Sequence, residues 1–459
     1  MAQEPLLHRG LREACARTNR WVGREPRPMA ESSLAFTPRR RTQEAESEAE
    51  VDEDDTCNSD GHSPLLPPLK MGTAWPGGGL DPERRKGEGS NDTDVLGHLA
   101  GTRCVLSLWI LADHFAHGAS VFTDRANVAV DGFIIMSGFV THWAYGARDL
   151  RGPHVLAQFY VRRFVRVLLT TYIAMGIAGM LLAALEGPPD IAHLARCFCF
   201  VEPWLHPELW CPNGQTWTIA ALLPSWLLYP ASKGLLARVE ARGGATGLCM
   251  LLLALWVSSI GPSLWLFFLQ GGWLSSHQHN FAYVWPPSQI PDFAIGMIAA
   301  ALARRHGQGS CSTGASSSIR RRGIAADAAV AVVLMLVLAV PSSGYHVGWE
   351  PLYNHALSPL LAVFLYGSTA GGGAGVVARL LSLPPLARLG KYSFEVFLFQ
   401  QPLFSAFEVV WIAGLNELLP IWCLGALFVV VLFALSGLYG EHVEAPFVDW
   451  LRTRTASWV

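Results

Sequence analysis

This 459-residue chain has little charge: 15% of its residues are Asp, Glu, Lys or Arg, against 51% hydrophobic residues that include 17 Trp and 22 Phe. Much of that charge sits in the first hundred residues and in short loops, which leaves apolar stretches long enough to cross a hydrocarbon layer of about 30 Å. The net charge of -2 averages an acidic run, Glu44 to Asp55, against arginine-rich loops. It carries no electrostatic argument for a nucleic-acid partner, and none is expected.

Other features are missing too. No secretory leader is visible, because the arginines near the N-terminus are not followed by an apolar run of about 7–15 residues, so targeting is expected to rest on the first span or on a transit sequence of another type. Residues 1–97 contain no apolar run at all. Their acidic and Pro/Gly-rich stretches, EAESEAEVDEDD and WPGGGLDPERRKGEGS, predict a disordered cytoplasmic extension. The nine cysteines show no paired metal spacing. Cys197, Cys199 and Cys211 share one loop with His193 and His206, but C-x-C is not the usual zinc-chelating spacing. A disulfide there requires an oxidising compartment. Unpaired thiols are the expected state, and no metal site is expected. No internal repeat relates the two halves of the chain.

What is present is a series of apolar segments, ten in all: roughly 104–122, 128–146, 165–185, 217–231, 247–269, 290–303, 324–340, 354–370, 392–413 and 420–439. They predict an all-α integral membrane bundle of about ten helices. The arginines support an orientation, since Lys and Arg favour the cytoplasmic side. The connections after even-numbered spans hold Arg148, Arg151, Arg162, Arg163 and Arg166, then Lys233, Arg238 and Arg242, then Arg304, Arg305 and Arg320 to Arg322, then Arg379, Arg388 and Lys391. Those after odd-numbered spans hold only Arg125 and Arg196. Both termini are therefore expected in the cytoplasm.

Within the first span, RCVLSLWILADHF, Arg103 and His114 are separated by about three helical turns and about 16 Å, so they share one face at different depths. Ionisable groups inside spans are costly and mark functional pathways. His114 is the candidate general base, since imidazole can both accept and return a proton near neutral pH. Asp113, about 100° away around the helix, is not expected to orient its ring. Arg163 and Arg166 share a face at the start of the third span and can hold one polyanion from two sides. Taken alone they read as ordinary cytoplasmic anchoring. Between these segments, VDGFIIMSGFV carries Asp131, which could contact an acceptor or cap a helix, and Ser137, which can hydrogen-bond across an interface. Gly132 and Gly138 read as close-packing positions.

These stretches, taken together, resemble the acyltransferase-3 family of multi-pass membrane O-acyltransferases, which carry an Arg and a His at this spacing in the first span. VDGFIIMSGF, FYVRRFVR, TWTIAALLPSWLLYP, IPDFAIGMIAA, LGKYSFEVFLFQQPLF and VEAPF resemble the family's segments in the family's order, and the likeness covers residues 98–455. The resemblance implies transfer of an acyl group, in the simplest case acetyl, from cytoplasmic acyl-CoA as co-substrate to a hydroxyl of a carbohydrate, lipid or other small acceptor. No bound cofactor is implied. His114 would be the catalytic base, and Arg103, Arg163 and Arg166 would bind the donor phosphates. Asp131, Ser137 and Gln400 would contact or support the acceptor. Two positions depart from the family pattern: Leu222 stands where Glu is common and Gln400 where His is common. A polytopic transporter or flippase, or a non-catalytic acyl-CoA-binding relative, are the alternative readings.

Overall fold

The computed structural model describes residues 96–116, 123–269, 276–308, 315–339, 355–410 and 421–456, and among these every regular element is helical. The extension expected over residues 1–97 lies outside them up to residue 95, as do the last six residues of the first expected span. Ten principal helices follow in order: α1 Gly97–Ala116, α2 Asn127–Tyr145, α3 Pro153–Glu186, α4 Trp217–Leu269, α5 Pro286–Gln308, α6 Ala315–Ala339, α7 Ser358–Ala370, α8 Ser393–Val410, α9 Ile421–Tyr439 and α10 Ala445–Ala456.

Local sequence explains several boundaries. Pro153 opens α3 directly after the extended Gly152, where a missing N–H costs nothing, and Gly187 closes it at a φ of 98° that side chains other than glycine rarely adopt. Asp190 caps the short helix Ile191–Phe198 by accepting from the Ala192 N–H at 2.9 Å. The expected spans 217–231 and 247–269 are parts of one 53-residue element, α4, which turns at Gly244, where φ is 54°. A straight helix of that length would run about 80 Å, far more than a bilayer is thick. The break at Gly244 relieves this.

Among the described residues, four stretches are long and apolar enough to cross a membrane: Pro153–Glu186, Gly214–Leu269, Ser316–Ala339 and Cys423–Leu451. These stretches contain five of the ten expected spans, since 217–231 and 247–269 both lie in Gly214–Leu269 on either side of Gly244. The other expected spans fall on helices that are shorter or more polar, and burial explains the difference. α2 turns Val128, Ile134, Ile135, Met136 and Phe139 into the core together with Asp131, Thr141 and His142. A helix sheathed by protein does not need a uniformly apolar surface.

The core forms where α5 packs against α2, α4 and α7. Glycine makes the α2–α5 contact close: a Cβ on Gly138 would collide with the Phe293 carbonyl oxygen, and one on Gly296 with that of Ile135. The two backbones therefore touch through reciprocal glycines, as the packing role expected for Gly138 requires. Gly132 packs under Leu106 of α1, whose Cδ1 would lie 3.0 Å from an added Cβ. α8 lies against α1, α3 and α9, which brings the last third of the chain onto the helix that carries Arg103 and His114.

Candidate active site

Arg103 projects from α1 into electrostatic reach of Arg163, Arg166 and Glu395, so the two expected arginine groups form one cluster. Their surroundings differ. Arg163 donates from Nη2 to Ser137 Oγ at 2.7 Å and lies over the Trp226 ring at 4.7 Å, while Trp226 Nε1 donates to the same hydroxyl at 3.2 Å. Its buried Nε has no hydrogen-bond partner. Arg163 therefore keeps a donor free while its guanidinium plane is held by an aromatic face and a hydroxyl. Ser137 acts here as a support for Arg163.

Arg166 is held differently, paired through Nε with Glu444 Oε1 and through Nη2 with Glu395 Oε1 at 3.4 Å. Glu444 Oε2 also accepts from Thr170 Oγ1 at 3.0 Å, and Thr170 meets the Tyr439 hydroxyl at 3.2 Å. The π-helical turn Gly440–Glu444 between α9 and α10 carries Glu444. Such turns add a residue to the helix and are frequent at functional sites. With three arginines against two carboxylates, the cluster retains an excess of positive charge when both acids are ionised. It is suited to an anion.

His114 lies in the last turn of α1, exposed, with Nδ1 at 3.2 Å from Gln400 Oε1. Gln400 is 2% exposed and donates from Nε2 to the Phe397 carbonyl at 2.9 Å. That second bond orients the amide, since the nitrogen must face the carbonyl and the oxygen must face the imidazole. An amide oxygen only accepts. Nδ1 of His114 must then carry the proton, which leaves the Nε2 lone pair available as a base. Both ends of the α1 stripe thus address α8, Arg103 near Glu395 and His114 at Gln400.

Of the two roles open to Asp131 in the sequence, the structure argues against the cap. The N-cap of α2 is Ala126, without a side-chain bond, so Asp131 caps nothing. It is 1% exposed, and its Oδ2 accepts from the His355 N–H at 2.9 Å. His355 in turn bonds Asp292 Oδ2 through Nδ1 at 2.8 Å. Leu222 packs in the core beside Trp226 and Tyr229.

The loop after α3 corrects the expected free thiols. Cys197 and Cys211 form a disulfide with Cα atoms 5.7 Å apart, while Cys199 remains free and exposed. Glu202 joins Arg196 at 2.5 Å and His193 at 3.3 Å. Burial pushes the Glu202 carboxyl up, but these hydrogen bonds outweigh it and hold the group below the usual carboxylate range. Asn213 ties the loop to α8 by donating to the Leu398 carbonyl at 2.8 Å.

Sequence reasoning missed the partners: Glu395, Glu444, Trp226 and the Asp292–His355 pair. Glu395 and Glu444 both lie in segments recognised by resemblance, LGKYSFEVF and VEAPF. That position was the available signal, but single segments do not say what a carboxylate meets across the bundle.

Apolar helices around a cationic cluster, with an oriented histidine further along the same helix as Arg103, define a helical membrane protein with a polar site. The family model described as an acyltransferase domain matches residues 98–438, three quarters of the chain, which belongs to the acyltransferase-3 family and is an acyltransferase. No curated protein and no solved structure matches it.

Proposed function

We propose that this protein is an O-acyltransferase that moves a small acyl group, acetyl in the simplest case, from cytoplasmic acyl-CoA to a hydroxyl of a carbohydrate, lipid or other small acceptor. The observation that carries this reading is the His114–Gln400 contact on the same α1 stripe as Arg103. Arg103 and Arg163 bind the donor's phosphates, with Arg166 set beside them by Glu395 and Glu444. His114 Nε2 takes the acceptor hydroxyl proton, and the oxygen attacks the thioester carbonyl. The C–S bond breaks, the ester forms, and the thiolate leaves with the proton returned by the imidazolium. Gln400 Oε1 keeps its bond to Nδ1–H throughout.

Both termini and the arginine-rich connections lie in the cytoplasm in this reading. Two independent features support it: the arginine distribution, and the disulfide in the loop after α3, which fits an oxidising compartment on the opposite side. Purified protein and its His114→Ala variant, supplied with radiolabelled acetyl-CoA and a panel of hydroxyl acceptors, test the proposal. Loss of transfer by about 10²–10⁴-fold in the variant is expected. Equal turnover by the two proteins removes His114 from catalysis, and donor binding without turnover on any acceptor favours a non-catalytic relative.

A further inference from the structure

Asp131, Asp292 and His355 come from three separate elements, α2, α5 and the residues just before α7, and are 1%, 0% and 0% exposed. One donor atom from each lies within 4.8 Å of the others. His355 Nδ1 is 2.8 Å from Asp292 Oδ2 and 3.6 Å from Asp131 Oδ1. Asp131 Oδ1 is buried without a hydrogen-bond partner on the side that faces the imidazole, and Asp292 Oδ1 is also unpartnered. Asp131 Oδ2 is already used by the His355 main chain. His355 adopts a φ of 67°, a left-handed conformation unusual for a residue with a side chain, and its Nδ1 meets a carboxylate from each of the two helices.

The charge in this pocket does not balance. Two carboxylates face one imidazole, and His355 and Asp292 are the charges that act on Asp131. With both acids ionised, even a protonated ring leaves one negative charge in a fully buried setting beside the Tyr283 ring, where an uncompensated ion is costly. A divalent cation removes that excess.

We propose that Asp131 Oδ1, Asp292 Oδ2 and His355 Nδ1 ligate one divalent transition cation, zinc or manganese, that joins α2 and α5 to the start of α7. Ligands about 2.1 Å from such an ion stand about 3.0–3.4 Å from one another, and the observed spacings of 2.8 and 3.6 Å straddle that range. One imidazole and two carboxylates fit a borderline-to-hard cation better than a thiophilic one. The second cluster of metal-binding residue types, His193, Cys197 and Glu202, does not compete, because Cys197 is in the disulfide and Glu202 is paired with Arg196. The metal assignment does not depend on acyl transfer.

The test uses the full chain purified in detergent, without chelator and without a metal-affinity step, and measures bound metals by plasma mass spectrometry. Stripped protein is then titrated with Zn²⁺, Mn²⁺ and, as a control, Ca²⁺ while thermal unfolding is followed. About one equivalent of zinc or manganese per chain is expected, with a lower unfolding temperature after stripping that Zn²⁺ or Mn²⁺ restores and Ca²⁺ does not. Asp292→Asn, close in shape, should weaken the metal at least about tenfold, and His193→Ala should leave it unchanged. Substoichiometric metal together with no thermal response to either cation would overturn the proposal and identify His355 as an imidazolium shared by the two aspartates. Unchanged metal content in Asp292→Asn and His355→Gln would overturn it as well. Should those variants fail to fold, the wild-type titration decides alone.

Discussion

Gln400→Leu isolates the part of the site that sequence alone described as a departure from the family. The substitution keeps an apolar volume near that of Gln but removes the acceptor 3.2 Å from His114 Nδ1 and the donor 2.9 Å from the Phe397 carbonyl. A neutral hydrogen bond of this kind contributes about 0.5–1.5 kcal/mol net, and the orphaned carbonyl adds a further cost on the fold. On the ring, the loss falls on tautomer and orientation, because Nδ1–H no longer has a fixed partner and the lone pair is no longer confined to Nε2. A penalty of about 1–2 kcal/mol lowers kcat by a factor of about 5–30, well short of the 10²–10⁴ expected for removing the base itself. The assay is steady-state transfer of labelled acyl groups by wild type, Gln400→Leu and His114→Ala in parallel, with donor KM measured for each. The donor KM of Gln400→Leu should stay near wild type, since the arginines are untouched. Wild-type kcat in Gln400→Leu would refute the orienting role. A loss as large as that of His114→Ala would refute it differently, by placing Gln400 itself at the reacting atoms.

Other consequences follow from the same contacts. Gly138→Val forces a side chain into the Phe293 carbonyl and should destabilise the fold by about 1–3 kcal/mol or more in thermal unfolding; Gly176→Ala in α3, where nothing lies within 4 Å of an added Cβ, should be neutral or stabilising by up to about 1 kcal/mol. Glu444→Leu leaves Arg166 short of a carboxylate and should cost about 3–5 kcal/mol, much of it recovered in the Arg166→Met/Glu444→Leu double variant, as a double-mutant cycle of melting measurements would reveal. Glu202 holds its loop through the ionised carboxylate, whose folded pKa is depressed. Its contribution is therefore present above the unfolded value of about 4.3 and lost as pH falls through the folded one, which protease sensitivity of the loop across acidic pH would report, Glu202→Gln being flat. Arg163→Ala should raise donor KM more than it lowers kcat, because it removes a binding contact and leaves His114 in place.

How much was legible differs by residue. The Arg103/His114 stripe needed only helical periodicity, and the structure places both toward α8 as that geometry requires. Gly138 was legible as a packing position, though its partner, the Phe293 backbone, was not. The fate of Cys197 and Cys211 depended on loop geometry that spacing does not encode, and free thiols were the wrong expectation. Asp131 could not be assigned by sequence because its partners, Asp292 and His355, lie more than 150 positions away. Of the ten expected crossings, length and hydropathy identify only the most apolar stretches among the described residues, because a protein-sheathed helix such as α2 buries polar groups and need not be uniformly apolar.

By itself the sequence determined the helical membrane character, the family, and the residue types that can bind an anion and move a proton. Those properties follow from composition, from short-range periodicity and from order along the chain. Only the tertiary structure decided which arginine is left with an unpartnered donor and which is already paired, which nitrogen of His114 is presented as base, and which acids are buried against His355. Each of these depends on a hydrogen bond or ion pair between helices far apart in sequence, and the energy of such contacts is set by distance and burial in the folded bundle rather than by the residues' local neighbours.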